Sequence, residues 1–186
     1  YYMGADCAFA RLLMNQQDAG TVEFALGEGR TLTLLGSDSS AAFRATVNGS
    51  HSVLKVTSGT VAQVFEPGVS QKNGAVYQLA DAATVGFTNI YEGASTTLNA
   101  HFLHHAFGTN NWLVARNGAV VNADLRFGGG TSYGNGVMID NATLNLASWT
   151  NNYYRSLSIL DGSSDYFCVG FNNGSYGDSL ILANGG

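Results

Sequence analysis

Asn111-Trp-Leu-Val-Ala-Arg-Asn-Gly118 is a short apolar run that stops at Asn-Gly. The phrase returns as Ser52-Val-Leu-Lys-Val-Thr-Ser-Gly59, Gly136-Val-Met-Ile-Asp-Asn-Ala142, Ser156-Leu-Ser-Ile-Leu-Asp-Gly162 and Ser179-Leu-Ile-Leu-Ala-Asn-Gly185. Leu113 and Ala115, Leu157 and Ile159, and Leu180 and Leu182 recur with period two, the signal of a half-buried strand. Gly, Asn and Asp at the end of each run accept the positive φ that a sharp corner needs. On this reading Asn117, Gly118, Asn141, Asp161, Gly162, Asn184 and Gly185 are structural turn residues.

The spacing of the turns decides the architecture. From Asn117 to Asn141 is 24 residues, from Asn141 to Asp161 is 20, and from Asp161 to Asn184 is 23. Upstream, Gly36 to Gly59 and Ser58 to Asp81 are both 23. A second anchor follows each strand at Phe107-Gly108, Phe127-Gly128 and Val169-Gly170. Ser132-Tyr-Gly-Asn135 and Ser175-Tyr-Gly-Asp178 repeat one tetrapeptide pattern 43 residues apart. A stack needs one phrase at one interval because each coil must fit the next. The sequence therefore predicts an all-β chain wound as a parallel β-helix solenoid. About eight coils at ~4.8 Å each would give a rod of roughly 40 Å. An antiparallel β-sandwich or jelly roll is the alternative, since it also turns every 8 to 12 residues.

Residues 1–20 differ from the rest. Ala5 to Gln17 carries Phe9, Leu12, Leu13 and Met14 without Gly, which reads as a short amphipathic helix. It would serve as a cap or junction, with residues 21–186 forming the solenoid repeats. The start at Tyr1 and the stop inside the phrase at Gly186 read as cuts through a longer chain.

Composition narrows the function classes. Charged residues make up 11% of the 186 residues, against about a quarter in ordinary domains, and the net charge is -5. Lys and Arg are scattered singly, so nucleic acid is not expected as a partner. No apolar run approaches the ~20 residues that span a bilayer. The single Pro beside 24 Gly fits a chain whose corners are made by Gly and Asn. Cys7 and Cys168 lie far apart along a stack and read as free thiols. No cofactor motif is present.

The second half resembles the β-strand-repeat passengers of bacterial autotransporter-like large surface proteins. The matching residues are Ser156 to Gly162, Val169-Gly170 and Tyr176 to Gly186, with a second set at Asn111 to Gly118, Phe127-Gly128 and Tyr133 to Asn145. The resemblance covers residues 107–186 best and residues 20–100 loosely. It implies a right-handed β-helix, an extracellular or cell-surface location, and a structural or adhesive role as a rigid stalk, filament or adhesin.

Candidate chemistry is sparse. His101, His104 and His105 lie in one phrase, where His101 and His105 would share a strand face. Without a nearby carboxylate or Cys, they read as solvated histidines rather than a metal site. Asp140, Asp161 and Asp178 stand at or beside turns, which is backbone chemistry and not catalysis. Hydrolases of β-helical shape need converging carboxylates; only Asp124 with Arg126 and Asp161 with Asp165 lie close in sequence. No catalytic residue is therefore assigned, and an enzyme is not expected. Trp149, Tyr153 and Tyr154, with Tyr133 and Tyr176 at neighbouring corners, form the candidate contact surface for surface glycans or proteins. The same rings would otherwise stack on one another up the coils. The remaining partner expectation is self-assembly through strand edges. The alternative function is a carbohydrate-binding or polysaccharide-degrading β-helix.

Overall fold

Short runs of β-branched and apolar residues between Gly and Asn corners form fifteen strands among the described residues of the computed structural model. Those residues are 1–10, 12–14, 19–35, 43–45, 50–63, 76–78, 83–105, 108–127, 132–145, 167–169 and 176–186, with the backbone alone described at 43–45, 76–78, 101–105, 124–127 and 167–169. The strands are β1 (Cys7–Phe9), β2 (Leu12–Met14), β3 (Thr21–Ala25), β4 (Thr31–Leu34) and β5 (Phe43–Ala45). They continue with β6 (Val53–Gln63), β7 (Val76–Gln78), β8 (Thr88–Glu92), β9 (Thr96–His105) and β10 (Trp112–Arg116). The last five are β11 (Val120–Phe127), β12 (Gly136–Asp140), β13 (Thr143–Asn145), β14 (Phe167–Val169) and β15 (Ser179–Ala183).

Among the described residues every pairing is parallel, and the pairings sort into three ladders. The first runs β3, β6, β8, β10, β12, β15. The second runs β1, β4, the end of β6, the start of β9, the start of β11, and β13. The third runs β2, β5, β7, the end of β9, the end of β11, and β14. Parallel neighbours need a long connection between them. Here the connection is the rest of the circuit, so the chain visits second, third and first ladder in turn. The result is a parallel, β-helix-like stack, with six rungs among the described residues.

Among the described residues the rungs follow one another at less regular steps than the turn spacing predicts. Equivalent first-ladder positions are Thr21, Val53, Thr88, Trp112, Gly136 and Ser179, so the steps are 32, 35, 24, 24 and 43 residues. The six rungs among the described residues span about 24 Å between their outer strands. β12 pairs directly with β15, Gly136 with Ser179 through Asp140 with Ala183. The phrase at residues 156–162 lies outside the described residues. A strand's place is set by the whole matched register, and alternation over a few residues cannot supply that. Asp161 and Gly162 lie outside the described residues.

The expected N-terminal helix is also corrected. Cys7–Phe9 and Leu12–Met14 are strands, paired Cys7 with Leu32 and Leu12 with Phe43. The unpaired edges of β4 and β5 recruit them, and tertiary pairing overrides a local helical pattern. Tyr2 extends the first ladder by bridging Ala25.

Inside the stack the inward columns are continuous. Leu54, Asn89, Leu113 and Val137 form one, with Asn89 its single polar member, and Val56, Tyr91, Ala115 and Ile139 another, all buried. Leu32, Val61, Leu98 and Val121 line the second ladder. Ala100 and Ala123 follow at the bend where β9 and β11 pass to the third ladder, and a bulge between Asn122 and Asp124 makes that bend. Gly59 is required where β6 turns between ladders. Its φ is 77°, and a Cβ there would lie 2.7 Å from both the Gly27 oxygen and Leu26 Cβ.

Candidate functional site

The corner that leads into the first ladder is built the same way on successive rungs. Gly86, Asn110, Gly134 and Gly177 hold positive φ of 69°, 54°, 68° and 69° respectively, and His51 stands in the same column at 57°. The N–H groups of this column donate across rungs: His51 to the Val85 oxygen, Gly86 to Thr109, Asn110 to Tyr133 and Gly134 to Tyr176. Each left-handed residue turns the next side chain inward. That next residue is Ser52, Phe87, Asn111, Asn135 or Asp178.

Asn111 and Asn135 are fully buried and form a ladder of their own. The N–H of Phe87 donates to Asn111 Oδ1, that of Asn111 to Asn135 Oδ1, and that of Asn135 to Asp178 Oδ1, each at 2.9 Å. The amide Nδ2 groups reach back across the corner. Asn111 donates to the Thr84 carbonyl at 3.0 Å and Asn135 to the Gly108 carbonyl at 3.1 Å. Asp178 has the acceptor but no N–H with which to repeat that second bond. A second amide ladder runs on the outside of the second ladder, where Asn145 Nδ2 donates to Asn122 Oδ1 at 2.8 Å and Asn122 Nδ2 to Asn99 Oδ1 at 2.7 Å.

In front of the corner lies an exposed column. Val85, Thr109, Tyr133 and Tyr176 bridge one another in parallel. The Tyr133 and Tyr176 rings stack with centroids 5.1 Å apart and planes 8° from parallel. Tyr133 is 41% exposed and Tyr176 65%, so the pair presents ring surface to solvent.

The outer face of the first ladder is mixed in character. Trp112 lies over Gly136, where a Cβ would meet ring carbons at 2.4–2.7 Å. Ile90, Val114, Met138 and Ile181 form an outward apolar column beside it. On the far flank Glu92 receives Lys55 Nζ at 2.9 Å, Arg116 Nη2 at 3.0 Å and Asn117 Nδ2 at 2.9 Å. These partners, Lys55 first and Arg116 next, hold the Glu92 carboxyl down at about 2. Lys55 also reaches Glu23 at 4.0 Å, so charges alternate across four rungs.

The sequence candidates separate. Tyr133 and Tyr176 come together, whereas Trp149, Tyr153 and Tyr154 lie outside the described residues. Asn117, Asn141 and Asn184 sit at corners with φ of 56°, 47° and 50°, and Gly118 and Gly185 follow two of them at 87° and 83°. His101, His104 and His105 lie in β9, with their side chains outside the described residues. No group of three or more His, Cys, Asp or Glu gathers among the described residues. Cys7 is unpaired on the first rung, while β14, which carries Cys168, belongs to the sixth. No helix among the described residues is long and apolar enough to cross a membrane.

Sequence reading missed the roles of Asn111, Asn135 and Glu92. A signal for the first two was present: a Gly or Asn followed by Asn or Asp immediately before each strand, at Asn110-Asn111, Gly134-Asn135 and Gly177-Asp178.

No family model, curated protein or solved structure matches this chain. Its chemistry therefore has to be argued from its own residues. What they can do is tie one rung to the next and present stacked rings at one corner.

Proposed function

We propose that this chain is a right-handed β-helical segment of a secreted or cell-surface bacterial protein, acting as a rigid stalk, filament or adhesin. One observation carries the reading. The buried amides of Asn111 and Asn135 are used up in bonds between rungs and do not converge on a cleft. Satisfied polar ladders of this kind make a stack stiff and fix its register. The right hand follows from the strong preference of strand–crossover–parallel strand connections for that sense. The resemblance to autotransporter-like passengers supports the location and the mechanical role. Pulling single molecules from both ends tests it: unfolding in discrete rung-sized steps at high force is expected. Smooth extension at low force, or turnover of polyuronates by the chain, would remove the mechanical reading.

A second reading, carbohydrate or protein contact, is favoured by the exposed Tyr133–Tyr176 stack. Stacked tyrosines on a rigid corner offer a sequence-independent platform for sugar rings. Titration with oligosaccharides should then perturb the two tyrosine ring signals, and Tyr176→Ala should abolish the effect. Unchanged ring signals across neutral and acidic glycans would dismiss it.

A further inference from the structure

From β4 to β13 the second ladder turns two side chains outward on each rung. One file runs Thr31, Thr60, Thr97, Val120 and Thr143, and the other runs Thr33, Ala62, Asn99, Asn122 and Asn145. Leu32, Val61, Leu98 and Val121 between them point inward and are buried, while every outward residue is half-buried or exposed. No register shift interrupts the two files, since the bulge in the pairing of β9 with β11 falls beyond Asn122. Neighbours along a file are therefore ~4.8 Å apart and the two files about 6.6 Å apart, the spacings of stacked strands and of alternate residues on one strand.

The array is mostly Thr and Asn, and none of its members is charged or aromatic. The outer face of the first ladder is unlike it, with Glu23, Lys55, Glu92 and Arg116 in contact across the rungs. A charge borders the array at its first rung, where Asp6 Oδ1 accepts the Thr31 N–H at 3.0 Å. Thr is stiff at χ1, so each one holds its methyl and hydroxyl in fixed places. Asn122 and Asn145 are fixed by their amide ladder, in which each spends one of its two Nδ2 hydrogens. Little side-chain freedom is left to lose on binding. A face without charge does not select ions, phosphates or a charged partner. Without rings it cannot stack on sugars, and it lacks the Trp, Tyr and Arg anchors of protein interfaces. The ligand that matches is itself uncharged and repeats in two directions. We infer that this face binds ice, because the rung and strand spacings lie close to the oxygen repeats along the two axes of its prism face. The Thr hydroxyls and Asn amides bond lattice waters, and the methyls of Thr, Ala62 and Val120 fit between those waters. This goes beyond the mechanical reading and does not rest on it.

The test grows single ice crystals in a solution of the 186-residue chain and measures the gap between their melting and growth temperatures. Faceted crystals and a measurable gap are expected, and a fluorescently labelled chain should coat the prism faces of a larger crystal. Thr97→Lys sets a charge and a long side chain at the centre of the array and should abolish the gap. Thr88→Lys, outward on the first ladder, should leave it unchanged. Circular dichroism and denaturant midpoints check that both variants fold, and Thr60→Lys repeats the test one rung away should Thr97→Lys not fold. Round crystals with no gap in the presence of the unaltered chain would overturn the proposal. So would equal losses in Thr97→Lys and Thr88→Lys. Retention on crystalline cellulose or chitin with no effect on ice would assign the face to a polysaccharide and overturn it as well. The pulling experiment reads none of these outcomes, so this inference and the mechanical reading fail separately.

Discussion

The main-chain N–H of Asn111 donates to Oδ1 of Asn135 on the next rung at 2.9 Å, and both residues are fully buried. Each of these amides thus ties its own rung to the one before, accepting there through Oδ1 and donating there through Nδ2. The bond is satisfied only when rung follows rung in this register.

Removing a link in that chain should be costly. Asn135→Ala leaves the buried N–H of Asn111 without its acceptor and the Gly108 carbonyl without a donor. A loss of about 2–4 kcal/mol is expected. Asn135→Asp keeps the acceptor, removes the donor and buries a charge, so it should cost at least as much. Denaturant midpoints at unchanged slope check both.

The last member of the ladder offers the opposite change. Asp178 accepts from Asn135 but has no N–H for the second bond that Asn111 and Asn135 make. Asp178→Asn should supply it toward the Ser132 carbonyl, which already accepts the Tyr176 N–H. A gain of about 0.5–1.5 kcal/mol is expected in the same denaturant assay.

Glu92 sets an acid limit. Its partners lower the carboxyl from 4.5 to about 2, so its contribution is fully present above pH 4.5 and disappears as pH falls from there toward 2. Solvent screening reduces the effect to the order of 1–2 kcal/mol. Glu92→Gln should flatten that part of the stability–pH curve and leave the chain weaker at neutral pH. An unchanged slope between pH 4.5 and 2 in the variant would show that other carboxylates govern it.

Gly136 and Trp112 form a coupled pair. Gly136→Ala drives a methyl into the indole that covers it, at 2.4–2.7 Å before relaxation, and should cost about 1–3 kcal/mol. In a Trp112→Ala background the same change should cost little. The double-mutant cycle reads the coupling directly.

How much of this the sequence disclosed varies along the chain. Between Thr88 and Asp140 the rungs keep a strict 24-residue step, and there the turns, strands and parallel stacking are plain in the residues. Elsewhere the steps of 32, 35 and 43 residues break the interval, and nothing local marks where the chain rejoins its ladder. Leu12–Met14 shows the same limit, since its apolar cluster suits a helix until β5 offers it a partner. The Tyr133–Tyr176 stack was foreshadowed by the shared tetrapeptide. The Glu92 cluster was not, because Lys55, Glu92 and Arg116 are brought together only by rung register.

The stack's most consequential join is β12 to β15, across the 43-residue step. Nuclear Overhauser contacts between backbone protons of residues 137–139 and 180–182 test it most directly. The account predicts strong contacts between these segments in parallel register, Met138 opposite Ile181. Contacts from 137–139 to residues 157–160 in their place would put an additional rung between β12 and β15 and contradict the six-rung stack.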